Sequence, residues 1–308
     1  MEQFKTFHRQ GLLQVVAGAT MISFSGVYVK IAHVEPTAAG FYRHFFGGFL
    51  LIIIVLLRRE SLWKDFPYFL SSALCGCIFA LDIYVWHRSV LYIGPGLATI
   101  LANFQVFILA LFGLFYLGEK IQINRLLGMS LALLGLFMIV GIRWEQLDSI
   151  YRTGVILGLA AALCYAVYLL ILRKLQATHH CLSPLVNLTV ISLVSAFVLG
   201  TLAWGQGEDL RIPDVHSFIV LIVYGIFSQV LGWVLISRGL PKLSASLAGL
   251  LLLLQPTLAF IWDMLFFHRE TTPVGLFGVA LTIGAIYLGT IKKAKGTKPR
   301  GQVDSIEA

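Results

Sequence analysis

The stretch Leu91–Lys120, LYIGPGLATILANFQVFILALFGLFYLGEK, returns in altered form as LPKLSASLAGLLLLLQPTLAFIWDMLFFHRE between Leu240 and Glu270. A shift of about 150 residues lays Leu97 and Ala98 on Leu247 and Ala248, Gln105 on Gln255 and Arg88 on Arg238. One extra residue then brings Glu119 onto Glu270. A second echo, at a shift of about 143, sets Gly11, Ala17, Ala19 and Lys30 against Gly154, Ala160, Ala162 and Arg173. The chain is therefore two copies of one unit, and any fold proposed for it has to be built twice.

That unit is a membrane unit. With 58% hydrophobic and only 12% charged residues, the chain carries more apolar surface than a soluble domain can hide. Ten segments, at approximately 11–32, 36–57, 66–88, 92–117, 123–142, 154–173, 184–204, 215–237, 243–267 and 272–291, are each long enough to cross a hydrocarbon core of about 30 Å as a helix. Pro36, Pro67, Pro184, Pro213, Pro241 and Pro273 stand at or near segment starts, where a missing N–H costs least. The first segment is longer than a signal-peptide core and lacks a small-residue cleavage site, so it is expected to remain as a span. The sequence predicts an all-α membrane protein of ten transmembrane helices. Residues 1–148 form the first five-helix repeat, 149–291 the second, and 292–308 a basic tail of disordered composition.

Five spans per copy is an odd number, so the second copy enters the membrane upside down and the repeats are inverted. Orientation follows from the basic residues. With the N-terminus in the cytoplasm, the inner side carries Lys5, Arg9, Arg58, Arg59, Lys64, Lys120, Arg125, Arg173, Lys174, Arg238, Lys242 and the tail cluster from Lys292 to Arg300. The outer side holds Lys30, Arg88, Arg143, Arg152, Arg211 and Arg269, the minority that the positive-inside rule requires. Both termini are thus expected in the cytoplasm, with the protein in the inner, or plasma, membrane. The net charge of +8 belongs to this topology, which removes nucleic acid as an expected partner. Cys75, Cys77, Cys164 and Cys181 fall mostly inside apolar segments, and Cys75 and Cys77 lie about 200° apart on a helix, so packing rather than metal or disulfide is their expected role.

The doubled five-span unit, the FYRHFFGG run at the head of the second segment, and the small-residue opening and LGEK close of the fourth resemble the drug/metabolite transporter superfamily in its ten-helix EamA-type branch. The resemblance covers almost the whole chain. It implies a central cavity lined by helices one to four and six to nine, with five and ten peripheral. The chain departs from the common pattern in HRS at 87–89, in Arg238 at the equivalent place, and in the polar NFQ at 103–105.

Ionisable side chains inside hydrocarbon cost several kcal/mol unless paired or wet, which singles out Arg43, His44, Asp82 and Asp263. Arg43 and Asp82 each lie six or seven residues below the outer end of their helices, near 10 Å deep at about 1.5 Å per residue, so they are able to pair. Such a pair either fixes the second helix against the third or serves a substrate, and the small neighbours Ala39 and Gly47 at i, i+4 spacing favour the second role. His44 points about 100° away, as a hydrogen-bonded structural residue or a proton relay. Asn103 and Gln105 sit near the midplane about 200° apart, with Asn103 preferred for the site because Gln105 has a repeat partner in Gln255. Gln255 heads a row with Ala259 and Asp263, while Tyr165 and Tyr168 share a face of the sixth helix and Trp86 lies one turn beyond Asp82, all placed to line the site or to pack.

No HExxH, GxSxG or GxxxxGK[ST] signature occurs, so neither an enzyme nor an ATP-driven pump is expected, and no cofactor or metal. The reading is a secondary transporter of a small polar metabolite, amino acid, nucleotide-like or otherwise anionic or zwitterionic, working by alternating access. Its partners are the solute, the lipid bilayer and a coupling proton or ion. The alternative is a non-transporting scaffold, or a homodimer, associating through Gly128, Gly135, Gly278 and Gly284; a lipid-modifying membrane enzyme is a third reading. Topology gives the first test: cysteines introduced at Asn124 and Lys298 resist an impermeant thiol reagent in intact cells, and one at Gln206 reacts. The reverse pattern would overturn the orientation.

Overall fold

Helix starts are fixed by side chains that satisfy first-turn N–H groups before the chain enters the bundle. Asp65 accepts from the Tyr68 N–H at 2.7 Å, Asp214 from Ser217 at 2.7 Å and Thr272 from Gly275 at 3.1 Å. Hydrogen bonds from Ser217, with some help from His33, hold the exposed Asp214 carboxyl below the usual carboxylate range. Pro36, Pro67, Pro184 and Pro273 occupy the first or second helical position, while Pro241 lies in a short 3-10 turn, Leu240–Lys242. The computed structural model describes residues 2–120, 122–140, 149–177, 182–268 and 270–291; Arg143, Cys181, Arg269 and the basic tail fall outside them.

Nine helices among the described residues are long and apolar enough to cross a membrane. One of them, Phe66–Phe115, has 50 residues, more than twice what one crossing needs. It reverses at Gly94, whose φ of 79° only glycine adopts freely, followed at once by Pro95. No loop separates the two spans there, whereas the sequence suggested one near residue 90. We number the crossings α1 (Thr6–Ile31), α2 (Pro36–Leu57), α3 (66–93), α4 (95–115), α5 (Ile123–Val140), α6 (Ile150–Ala177), α7 (Pro184–Gly205), α8 (Val215–Lys242), α9 (Ala245–Phe267) and α10 (Pro273–Thr290). The protein is an all-α membrane protein of ten crossings.

Across the two halves, α3 packs on α6 and α1 on α8; α2 lies against α7, α4 against α9 and α5 against α10. Exchanging helices one to five with six to ten leaves this set of contacts unchanged. Two helices are interrupted at matching positions. α4 breaks at Asn103–Phe104, between Ala102 and Gln105, and α9 breaks at Leu253, 150 residues after Asn103. Large apolar side chains such as Leu57, Phe115 and Phe197 point outward, while Ser192, Gln229, Thr257 and Thr282 are wholly enclosed. That distribution suits a lipid solvent, where every polar group needs a partner inside the protein.

Glycine sets how closely α5 and α10 approach. A Cβ at Gly135 would lie 2.6 Å from the Gly278 carbonyl oxygen, and one at Gly128 2.7 Å from that of Ala285. Gly128, Gly135 and Gly278 are therefore used inside the chain, and of the four glycines expected to serve association only Gly284 is left open. This pair makes a sharp test. Gly135→Ala, meeting backbone that cannot yield, should cost about 1–3 kcal/mol of stability. Gly284→Ala should gain up to about 1 kcal/mol from helix propensity. Thermal unfolding in detergent decides it, and equal melting shifts would show that the α5–α10 contact is looser than described.

Candidate functional site

Gly47 on α2 permits the contact from which the site is built. A Cβ there would fall 2.6 Å from the Gln229 Cβ, and one on Gly225 would fall 2.9 Å from the Gly47 nitrogen. The two backbones meet where α8 changes from α to π geometry, over Gly225–Gly232. A π segment inserts an extra residue into the turn and re-aims side chains, a distortion common at functional positions. Here it carries Gln229 to the guanidinium of Arg43, one turn before Gly47.

Arg43 is 8% exposed. Its Nε donates to the Gln229 Oε1 at 3.2 Å and its Nη1 to the Tyr224 hydroxyl at 3.4 Å. Gln229 is itself held by donating to the Ser192 hydroxyl on α7 at 2.8 Å. The guanidinium carbon lies 5.3 Å from the Tyr224 ring centre and 5.9 Å from that of Phe79, within cation–π range. Nη2 is enclosed and has no hydrogen-bond partner.

The expected ion pair with Asp82 does not form. None of the ion pairs among the described residues includes either side chain. Matched depth was not sufficient, because α2 packs chiefly on α7 and α8 rather than on α3, so the guanidinium turns toward α8. Asp82 looks instead toward α6, in electrostatic reach of Cys164, Tyr165 and Tyr168 as well as of Arg43, and is only half-buried.

Aromatic rings join the two charges. Phe79, one turn before Asp82, stacks on Tyr168 with centroids 4.1 Å apart and planes 8° apart, and meets Trp233 edge-on at 5.1 Å. Tyr165 lies nearly parallel to Tyr168 at 6.3 Å, and its hydroxyl accepts from the Gln255 amide at 3.4 Å. Gln255, Tyr165, Tyr168 and Arg43 are thus linked through one ring cluster. The hydroxyl of Tyr168 and the indole N–H of Trp233 are buried without partners beside it. His44 packs edge-on against Phe79 at 5.1 Å, with Nδ1 2.8 Å from the Gly40 carbonyl oxygen of its own helix.

Other expected site residues stand apart. Asn103 donates to the Thr99 carbonyl at 2.7 Å, closing the first half of α4 at its break. Gln105 is fully buried with both amide atoms unpartnered, and the Trp86 ring meets His87 at 5.1 Å but touches no ring of the cluster. Asp263 binds Lys30 at 2.7 Å at the far end of α9. Sequence reasoning passed over Gln229, Tyr224, Ser192, Phe79 and Trp233. Gln229 was findable, since an amide midway along an apolar span is the feature that singled out Asn103; the π segment that aims it leaves no mark in the sequence.

The EamA-like transporter family model matches this chain twice, over residues 9–141 and 152–291. An uncharacterized transporter of Archaeoglobus fulgidus is 22% identical over 280 residues, covering 88% of this chain and 95% of its own. The pseudopaline exporter CntI of Pseudomonas aeruginosa is 24% identical over 292 residues, 92% and 98% of the two chains. The threonine/homoserine exporter RhtA of Escherichia coli is 27% identical over 169 residues, 54% and 55% of the two. A solved crystal structure shares the fold with a TM-score of 0.78 at 17% identity, covering 91% of this chain and 97% of that one. With nearly all of both halves accounted for by one family model, this multi-pass membrane protein belongs to the EamA-like transporter family.

Proposed function

We propose that the protein is a gradient-driven transporter of a small polar solute bearing an anionic group, an amino acid, a nucleotide-like molecule or another anionic or zwitterionic metabolite. Its two inverted five-helix repeats, residues 1–148 and 149–291, rock about the Arg43 site and expose it to each side in turn. The paired breaks in α4 and α9, the exchange-invariant helix contacts and the twofold family match support this division. The protein acts in the inner membrane with both termini in the cytoplasm, and no catalytic step is assigned to it.

The observation that carries the reading is Arg43. A guanidinium enclosed among apolar spans, with two nitrogens held by neutral partners and the third unpaired, keeps an uncompensated charge where charge is costly. An anionic group arriving beside Nη2 supplies the missing partner in the two-pronged geometry that guanidinium favours. Asp82, which joins none of the ion pairs among the described residues, would be offered to the ammonium of a zwitterion. Two relatives are named exporters, one of pseudopaline and one of threonine and homoserine, which supports an amino-acid-like solute. Tyr165, Tyr168 and Gln255 would wall the site, with Trp86 and Asn103 nearer its approaches.

A thermal-shift screen of the purified protein against amino acids, nucleotides and sugar phosphates tests this. A ligand present at 100 times its Kd raises stability by about 2.7 kcal/mol. Arg43→Lys should fold, since the cation and its depth are kept. It should bind the ligand so found at least about tenfold more weakly, because an ammonium cannot hold Gln229 and grip the anion together. Undiminished binding by Arg43→Lys and by Arg43→Gln would remove Arg43 from the site.

A further inference from the structure

At the end of the molecule opposite Lys30 and Asp263, Glu119 extends from the segment after α4 and its Oε1 lies 3.3 Å from Nη1 of Arg173, near the end of α6. The same carboxylate accepts from the Ala245 N–H at 2.7 Å, the Ser246 N–H at 3.5 Å and the Ser246 hydroxyl at 3.2 Å. Ala245 and Ser246 open α9, and Ser244, in the capping position, makes no capping bond of its own. Glu119 therefore stands where a bound anion would stand at a helix N-terminus. Arg125 from α5 donates Nη1 to the Ser244 and Ser246 hydroxyls at 2.9 Å each. Arg125 is 8% exposed, and its buried Nε has no partner. One guanidinium, two amides and a hydroxyl thus meet a single carboxylate, and the Arg125 guanidinium stands behind them through the Ser246 hydroxyl, so that two positive charges surround one negative.

That carboxylate lies outside the helices. A Cβ at Gly113 would lie 2.6 Å from the Glu119 Oε2, so the bare glycine is what admits it. At the shift that aligns Gln105 with Gln255, Gly113 corresponds to Asp263, and at the other shift Arg173 corresponds to Lys30. The far end places Asp263 directly on Lys30, at 2.7 Å, from the helix itself. At one end the carboxylate is thus carried by the helix itself, and at the other by the segment that follows it.

We propose that the Glu119 pocket is a binding station for a carboxylate-bearing solute, which displaces Glu119 and so unlatches this end. Rupture of the latch alone would leave Arg173 and the first turn of α9 without their anion. Exchange of one carboxylate for another keeps every bond and frees the segment after α4. The proposal rests on the transport reading and adds to it a second place where the solute binds and the group by which it is held.

The test uses full-length protein in nanodiscs, with sodium acetate as probe and sodium chloride at equal ionic strength as control. Ala245→Cys, buried under the latch, reports opening through its rate of maleimide labelling above the background of the native cysteines. Acetate should raise that rate about fivefold or more, the low end of ordinary coupling between sites. Adding Arg125→Gln should abolish the rise. A helix cap with only a structural role predicts no acetate effect, and that result would overturn the proposal. Glu119→Ala should regain its lost thermal stability in acetate but not in chloride; equal melting in both salts would also overturn it. Should Glu119→Ala fail to fold, Gly113→Ala expels the carboxylate while keeping every charge, and must raise labelling without acetate. The acetate response has to survive Arg43→Gln. Its loss there would assign the effect to the central site and end this proposal alone, whereas absent uptake in proteoliposomes with an intact acetate response would end the transport reading alone.

Discussion

Inside hydrocarbon a polar group has only the protein itself for a partner, and this chain meets that constraint through close backbone contact. Gly47 against Gly225, and Gly135 against Gly278, bring helices together until side chains from one can reach the polar groups of another. Around Arg43 the arrangement is nearly complete. Gln229 and Tyr224 take two guanidinium nitrogens, and Ser192 holds Gln229 in place. The missing third partner follows from the same close packing. α2 is drawn onto α8, and its arginine bonds Gln229 and Tyr224 there rather than Asp82 on α3. Arg43 and Asp82 are left unpaired in one bundle, with Phe79 beside the guanidinium and stacked on Tyr168.

The architecture was legible because hydrophobicity is read residue by residue and needs no knowledge of neighbours. Ten apolar segments were enough for the span count, and the Gln105–Gln255 register falls beside the matching breaks in α4 and α9. Segment ends were less so, since the turn between α3 and α4 is made by one glycine in an unusual conformation rather than by a polar loop. The site was harder. Depth along a helix follows from counting, and counting placed Arg43 and Asp82 at one level. Direction around the helix depends on which neighbour approaches most closely, and that was decided by Gly47 and a π segment with no sequence signature. Tyr165 and Tyr168 were legible as a shared face, but their stacking partners Phe79 and Trp233 come from helices that only the fold brings near.

Asn103 illustrates a general difficulty with amides in spans. An amide midway along a helix reads as a ligand for solute, yet the break in α4 also needs something to satisfy the carbonyls it exposes, and Asn103 does that by bonding Thr99. Gln105, which ranked below Asn103 for the site because it has a repeat partner in Gln255, is the amide with no partner. The repeat still carries information at this point, because Leu253 marks the matching break in α9 without any polar side chain. The interruption is thus a property of the unit, and Asn103 is one half's way of lining it.

The ion pair between Lys30 and Asp263 has a consequence that its geometry makes plain. Its lysine is 48% exposed, whereas the side chains of Arg173 and Glu119 at the other end are 21% and 12% exposed. Counter-ions weaken wet pairs and hardly touch enclosed ones. Nonspecific screening by dissolved salt therefore weakens the Lys30–Asp263 pair more than the Arg173–Glu119 pair. The two ends of this helix bundle are thereby unlike, one pair open to counter-ions and the other closed against them.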